Sequence, residues 1–283
     1  MMLKWLLPLV VAGLFLWPVP ASAQEQARHY SQCQAIAQAL PQARYASFWM
    51  KDQGAFPGPQ TVALTEQTVR LTYIGHSTFL IETPAGVTIA TDYNGYVRPP
   101  IIPRVVTMNR AHTTHYTLTP DPGIEYVLHG WSDDPGTKAE HRLVIEDTYI
   151  RNVTSDIRNY GGGMHADGNS IFIFEVAGLC IGHLGHLHQE LSEGQYAEIG
   201  RLDVLMVPVD GGLTMGAQSM SRVVKRLRSS LILPMHRPGP TVSNFLAMIG
   251  GEFEVVMASS NVIDISLKTL PSKPRIVVVS GMQ

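Results

Sequence analysis

Residues 69–92 read VRLTYIGHSTFLIETPAGVTIATD. Val69 to Ile74 alternates apolar with polar, the pattern of a half-buried strand. Thr78 to Glu82 is mostly apolar, Pro84-Ala85-Gly86 supplies a turn, and Val87 to Ala90 predicts a third strand ending near Asp92. Strand candidates continue at Val105 to Met108, Tyr126 to His129, Leu143 to Ile145, Ile171 to Phe174 and Leu179 to Gly182. From there the pattern changes. Val204 to Val207 reads as a buried strand, and Ala217 to Arg228 carries Met220, Val223, Val224 and Leu227 at helical spacing, a core-packing stripe. Leu231 to Leu233 predicts a strand, Val242 to Ile249 a helix, and Arg275 to Val279 a last strand. Strand meanders followed by strand–helix alternation predict a layered α/β sandwich.

The chain has 283 residues, 45% hydrophobic and 16% charged, which favours a packed core over disorder. Its net charge is -2 and it has no basic run, which argues against a nucleic-acid partner. Two cysteines exclude a disulfide scaffold or a Cys-built zinc ribbon.

Residues 1–23 read as a secretory signal peptide. Lys4 gives a basic start, Leu6 to Trp17 an uncharged apolar run, and Ala21-Ser22-Ala23 a cleavage site. The run is shorter than the roughly 20 apolar residues of a membrane span. An uncleaved anchor is the alternative. The expectation is a mature chain starting near Gln24, with no later membrane span, in the periplasm. There Cys33 and Cys180 either pair or leave Cys180 as a buried free thiol. Residues 24–60 are expected to form a helix, ended by Pro41, and a Gly/Pro linker at 51–60. Residues 61–283 are the main domain.

The chemical anomaly is histidine, present 11 times. His112 and His115 follow one predicted strand; His183, His186 and His188 follow another; His236 follows a third, within Pro234-Met235-His236. Loops at strand ends display reactive side chains, and converging neutral imidazoles suit a zinc ion. Asp92 and Asp210, both at strand ends, are candidates to orient ligand rings; as turn or cap carboxylates they would need no such role. His29, His129 and His141 read as surface or hydrogen-bonded residues, with His76 and His165 intermediate. Gly75-His76-Ser77-Thr78-Phe79 lacks the second glycine of a nucleophile elbow, and no phosphate-binding Gly-rich loop with its Lys is present. Asn152-Val153-Thr154 matches a glycosylation acceptor by chance.

The order of motifs resembles the metallo-β-lactamase superfamily. It is most similar to the branch of predicted metal-dependent hydrolases that includes the ascorbate-phosphate lactonases. The resemblance covers about residues 66–260. It rests on Ile74 to Glu82, Thr91-Asp92, Gly168 to Glu175, His183-Leu184-Gly185-His186-Leu187 and Pro234-Met235-His236. It implies an αββα sandwich with a one- or two-metal site at one edge of the paired sheets. The family hallmark is His-x-His-x-Asp-His, matched here by Arg110-Ala111-His112-Thr113-Thr114-His115. Arg110 thus replaces a His and Thr114 an Asp. A further family His falls at Ser155, the bridging Asp at His186, and the closing His is His236.

The resemblance, with these departures, implies an atypical, mononuclear site of His112, His115, His186 and His236. Zinc suits that set, with copper and iron left open. Arg110, if inward-pointing, would hold an anionic group of a small-molecule substrate; a surface ion pair is its plain alternative. The implied activity is hydrolysis of an ester, lactone, amide or phosphoester. The alternatives are a non-catalytic member that binds a ligand, metal or partner, and an oxidoreductase using a redox metal.

Overall fold

The computed structural model describes residues 31–34, 67–134, 136–158 and 163–283. The expected signal peptide, the linker at 51–60 and most of the expected helix over 24–40 lie outside these residues; residues 32–34 have helical backbone.

Strands β1 (Val69–Gly75), β2 (Thr78–Glu82) and β3 (Thr88–Ala90) form the antiparallel meander that the opening stretch predicts. β4 (Val105–Met108) and β5 (Tyr126–His129) add to β3 in parallel. β13 (Val262–Ile265) closes the other edge, so the first sheet runs β13-β1-β2-β3-β4-β5. The second sheet begins with the antiparallel strands β6 (Arg142–Ile145), β7 (Thr148–Arg158), β8 (Met164–Val176) and β9 (Leu179–His183). It continues in parallel through β10 (Val204–Pro208), β11 (Leu231–Met235), β14 (Arg275–Val278) and β12 (Glu254–Met257).

Parallel neighbours need crossovers. Helix α1 (Glu193–Ile199) joins β9 to β10, α2 (Ala217–Leu227) joins β10 to β11, and α3 (Pro240–Ile249) follows β11. With both faces covered, β10 and β11 are buried at every residue. One apolar core joins Leu71, Phe79 and Ile89 of the first sheet to Ile150, Phe174 and Leu205 of the second and to Val223 of α2. On the first sheet's other face Ala90, Val106 and Met108 pack with Tyr93, Ile124 and Trp131. This is the α/β sandwich expected from the sequence.

The long β7–β8 hairpin exceeds the four residues predicted there. It escapes an apolar-pattern reading because Thr148, Arg151, Thr154 and Ser155 are buried. Arg151 meets Glu175 at 2.8 Å, and its other nitrogens donate to the carbonyls of Glu198 and Ile199. Glu175 also accepts from Ser31 Oγ and the Gln32 N–H, which docks residues 31–34. Cys33 then forms a disulfide with Cys180 on β9, so the pairing alternative is the one realised. β12 and β13 were also not predicted; both are edge strands with mostly exposed residues, which blurs the alternation. Asn152 of the chance glycosylation motif sits inside β7, donating to the Ala139 carbonyl and Ser170 Oγ. Among the described residues no helix is long and apolar enough to cross a membrane.

Candidate metal centre

Six strand ends meet at one edge of the sandwich. The β1–β2 turn carries His76 at φ 51°, just after Gly75 at φ 144°. The segment after β4 folds back, with the His115 N–H on the His112 carbonyl and the Asn109 N–H on the His115 carbonyl. Asp92 follows β3, His186 follows β9, Asp210 follows β10 and His236 follows β11. Gly185 at φ +61° permits the loop that presents His186; a Cβ there would run into the Asn109 and Asn169 side chains. The two sheets are stitched together at the site. The His236 N–H donates to the His76 carbonyl at 2.7 Å, and His76 Nδ1 lies 2.8 Å from the His236 carbonyl.

His76, His112, His115 and His236 bring one ligand nitrogen each within 4.8 Å of one another. His115 Nε2 is 3.3 Å from His76 Nε2 and 3.1 Å from His236 Nε2. His112 Nε2 is 3.2 Å from His186 Nε2. His186, Asp210 and His236 form a second such group. Behind the rings, Asp92 Oδ2 lies 2.6 Å from His115 Nδ1 and accepts on its other oxygen from Asn109 Nδ2 at 2.9 Å. Asp210 Oδ2 lies 2.7 Å from His236 Nδ1, an ion-pair distance without a straight N–H···O line. Asp210 also accepts from the Gly212 and Thr214 N–H groups.

Burial favours the uncharged imidazole. Desolvation, followed by the neighbouring His236 ring, lowers His76 to about 4. Burial is likewise the largest cause lowering His112, His115 and His186, aided by adjacent rings. It lowers His188 to about 4, with Arg158 adding to the effect. For Asp210, burial pushes upward, but the adjacent His236 ring and the hydrogen bond from the Gly212 N–H outweigh it and hold the carboxyl low. Burial thus favours the uncharged form of His76, His112, His115 and His186, and Asp92 and Asp210 back the cluster.

That donor chemistry fits a metal ion. Zn–N bonds of about 2.0–2.1 Å in a tetrahedron place ligand nitrogens about 3.3 Å apart. The closest ring nitrogens, at 3.1–3.3 Å, have that spacing.

The structure brings together His112, His115, His186 and His236, and sets Asp92 and Asp210 against two of these rings. Arg110 does not join them. It is exposed and lines a separate depression with Ser132, Asp133, Asp134 and His165. The cluster instead borders a cavity of about 200 Å³ that takes in Ala111, His112, Arg158, His186, His188 and Leu213. His183 is also no part of the cluster. Its Nδ1 accepts from the Gly185 N–H and its Nε2 donates to the Ser77 carbonyl. Ser155 is buried and accepts from Asn169. His141 donates to the His129 carbonyl, and His129 stacks on Trp131. His29 lies outside the described residues.

His76 is the site residue underrated by sequence reasoning. Its signal was local: a non-glycine residue after Gly75, in a two-residue turn between strong strands. Thr114 bridges the cluster through its hydroxyl, 2.9 Å from His76 Nε2 and 2.6 Å from His112 Nδ1.

Comparison with known proteins places this geometry in a family. The β-lactamase superfamily domain matches residues 70–236. A UPF0173 metal-dependent hydrolase of Thermococcus kodakarensis is 24% identical over 224 residues, covering 67% of this chain and 96% of that protein. A Thermotoga maritima structure, described as a Zn-dependent hydrolase of the metallo-β-lactamase superfamily, is 27% identical. It aligns at a TM-score of 0.55 over 75% of this chain and 98% of its own. A Parabacteroides distasonis structure at 12% identity shares the fold, with a TM-score of 0.52 over 65% of this chain and 90% of its own. The chain belongs to the metallo-β-lactamase superfamily.

Proposed function

We propose that the protein is a metal-dependent hydrolase of a small molecule, with one ion, zinc in the first instance, at the histidine cluster. One observation carries the reading: four imidazole nitrogens from three separate segments converge within 4.8 Å. The names of the Thermococcus and Thermotoga relatives support it. Bound there, the ion would polarise a scissile ester, lactone, amide or phosphoester and lower the pKa of its water to about 7. The chain's own residues supply the rest. Asp92 and Asp210 hold the His115 and His236 rings with Nε2 turned inward. The cavity beside His112 and His186 is of small-molecule size, and Arg158 at its wall would attract an anionic group.

We place the protein in the periplasm, on the strength of the signal-like residues 1–23. The Cys33–Cys180 disulfide supports an oxidising compartment.

A second reading, a non-catalytic ligand- or metal-binding member, is favoured by one observation. Both carboxylates at the cluster, Asp92 and Asp210, are engaged by rings, and Thr114 stands where the family has an acid. Elemental analysis of the purified mature protein, beside a His115→Ala/His236→Ala double variant, separates the readings when followed by a hydrolysis screen. About one zinc per chain, lost in the variant, together with turnover of one ester class supports the hydrolase. Metal without turnover supports the binding protein. No metal even after incubation with zinc rejects the metal-dependent function.

A further inference from the structure

Asn109 follows β4 directly, opens the segment that carries His112 and His115, and is completely buried. Its side-chain amide has one possible orientation. The Ser170 N–H can only donate, and it reaches Asn109 Oδ1 at 2.7 Å. The Ser170 carbonyl can only accept, and it lies 3.3 Å from Asn109 Nδ2. Nδ2 is thereby also turned to Asp92 Oδ1, 2.9 Å away. This direction is set by the backbone of one β8 residue and is independent of the state of any histidine.

The amide is clamped where it lies. A Cβ on Gly130 would run into Asn109 Oδ1 and one on Gly185 into Nδ2, so two glycines make its room. Burying an amide is unfavourable unless its groups are bonded, and here all of them are. Asn109 holds His115 from two directions. Its backbone N–H donates to the His115 carbonyl at 3.2 Å. Its side chain donates to the carboxyl group whose other oxygen lies 2.6 Å from His115 Nδ1. Asn169, the neighbour of Ser170, accepts from the His186 N–H at 2.7 Å. One stretch of β8 therefore fastens both the Asp92–His115 side of the cluster and the His186 loop.

We infer that Asn109 is a positioning residue of the metal centre, acting through Asp92 to set the His115 ring against the His186 loop across the two sheets. It is not a ligand, because its amide is engaged by Ser170 and Asp92. Groups that orient ligand rings raise metal affinity by holding the ligands in place before the ion arrives. Asn152 supplies the contrast. Its side chain also makes three hydrogen bonds, one of them to Ser170 Oγ, the others with the Ala139 carbonyl and the His141 N–H, and none with the cluster. The inference rests on the metal-dependent reading and adds a residue to it.

The test is a double-mutant cycle in Co²⁺ affinity. The metal-free mature protein is titrated with Co²⁺, read by the visible absorption of the bound ion, well below the unfolding midpoint of each variant. The variants are Asn109→Ala, Asp92→Asn, the two combined, and Asn152→Ala. Should Asn109→Ala not fold, Asn109→Ser, which leaves a hydroxyl in the gap, takes its place. Asn109→Ala is expected to weaken Co²⁺ binding by about 10-fold, the lower end of the range for supporting groups, because it acts one residue further out. Asn152→Ala is expected to leave the affinity at the wild-type value. If Asn109 acts through Asp92, the combined variant binds within about twofold of Asp92→Asn alone, since residues in one hydrogen-bond network are not additive. Two outcomes overturn the inference alone: Asn109→Ala weakening Co²⁺ no more than Asn152→Ala, or its effect multiplying in full with that of Asp92→Asn. A wild type that takes up neither Co²⁺ nor Zn²⁺ overturns the metal-dependent reading together with it.

Discussion

His115 Nδ1 lies 2.6 Å from Asp92 Oδ2, and both side chains are completely buried. A buried carboxylate at that distance fixes which ring nitrogen carries the proton, and so turns Nε2 of His115 toward the cluster. Asp92→Asn keeps the shape but removes the anionic acceptor. Supporting acceptors of this kind are worth about 10–100-fold in metal affinity. Asp92→Asn should therefore weaken zinc binding by that factor in a chelator competition, with little change in the circular dichroism spectrum. Unchanged affinity would show that the pair serves folding only.

Arg151 and Glu175 make a further buried ion pair, with side chains 5% and 6% exposed. Removing one partner of such a pair costs about 3–5 kcal/mol, because the other charge stays buried. Arg151→Met should lose stability in that range in urea denaturation. It also frees the Glu198 and Ile199 carbonyls at the end of α1, so amide exchange should quicken there first. A loss below about 1 kcal/mol would place the pair in the surface class.

The Cys33–Cys180 disulfide spans 147 residues of sequence. Closing so long a loop restricts the unfolded chain, and removing such a bond costs about 2–5 kcal/mol. Cys33→Ser should show this loss in denaturant unfolding of the metal-free protein, and wild type in reductant should match it. Equal stability of oxidised and reduced protein would mean that the bond is stabilising nothing.

Acid should destabilise the metal-free protein well before its carboxylates titrate. His76 and His188 sit at about 4 in the folded chain, lowered chiefly by burial, against about 6.5 in an unfolded one. Between those values the unfolded state binds more protons, so stability falls as pH drops. The contribution is complete above pH about 6.5 and is lost progressively down to about 4. Thermal melts from pH 7.5 to 4.5 should show Tm decreasing through that window, and His188→Gln should flatten part of the slope. A Tm independent of pH there would falsify the picture of neutral buried rings.

The sandwich was legible in the residues because strands announce themselves locally. β2, β4 and β5 have the predicted bounds, since their apolar runs are short and end in turn residues. β7 was not legible, because its buried polar residues are satisfied by partners far away in sequence, such as Glu175 for Arg151. Capping could have revealed α1: Ser192 and Gln195 form a capping box that is plain in the sequence once that rule is applied.

The site divides in the same way. Sequence alone determined that histidines cluster after strands. Tertiary structure alone decided that His76 enters the cluster, that Arg110 leaves it and that Cys33 reaches Cys180. The physical reason is that side-chain type and strand pattern are local properties, whereas convergence depends on which strand ends share an edge. That edge exists only once the two sheets pack and the His236 N–H meets the His76 carbonyl across them.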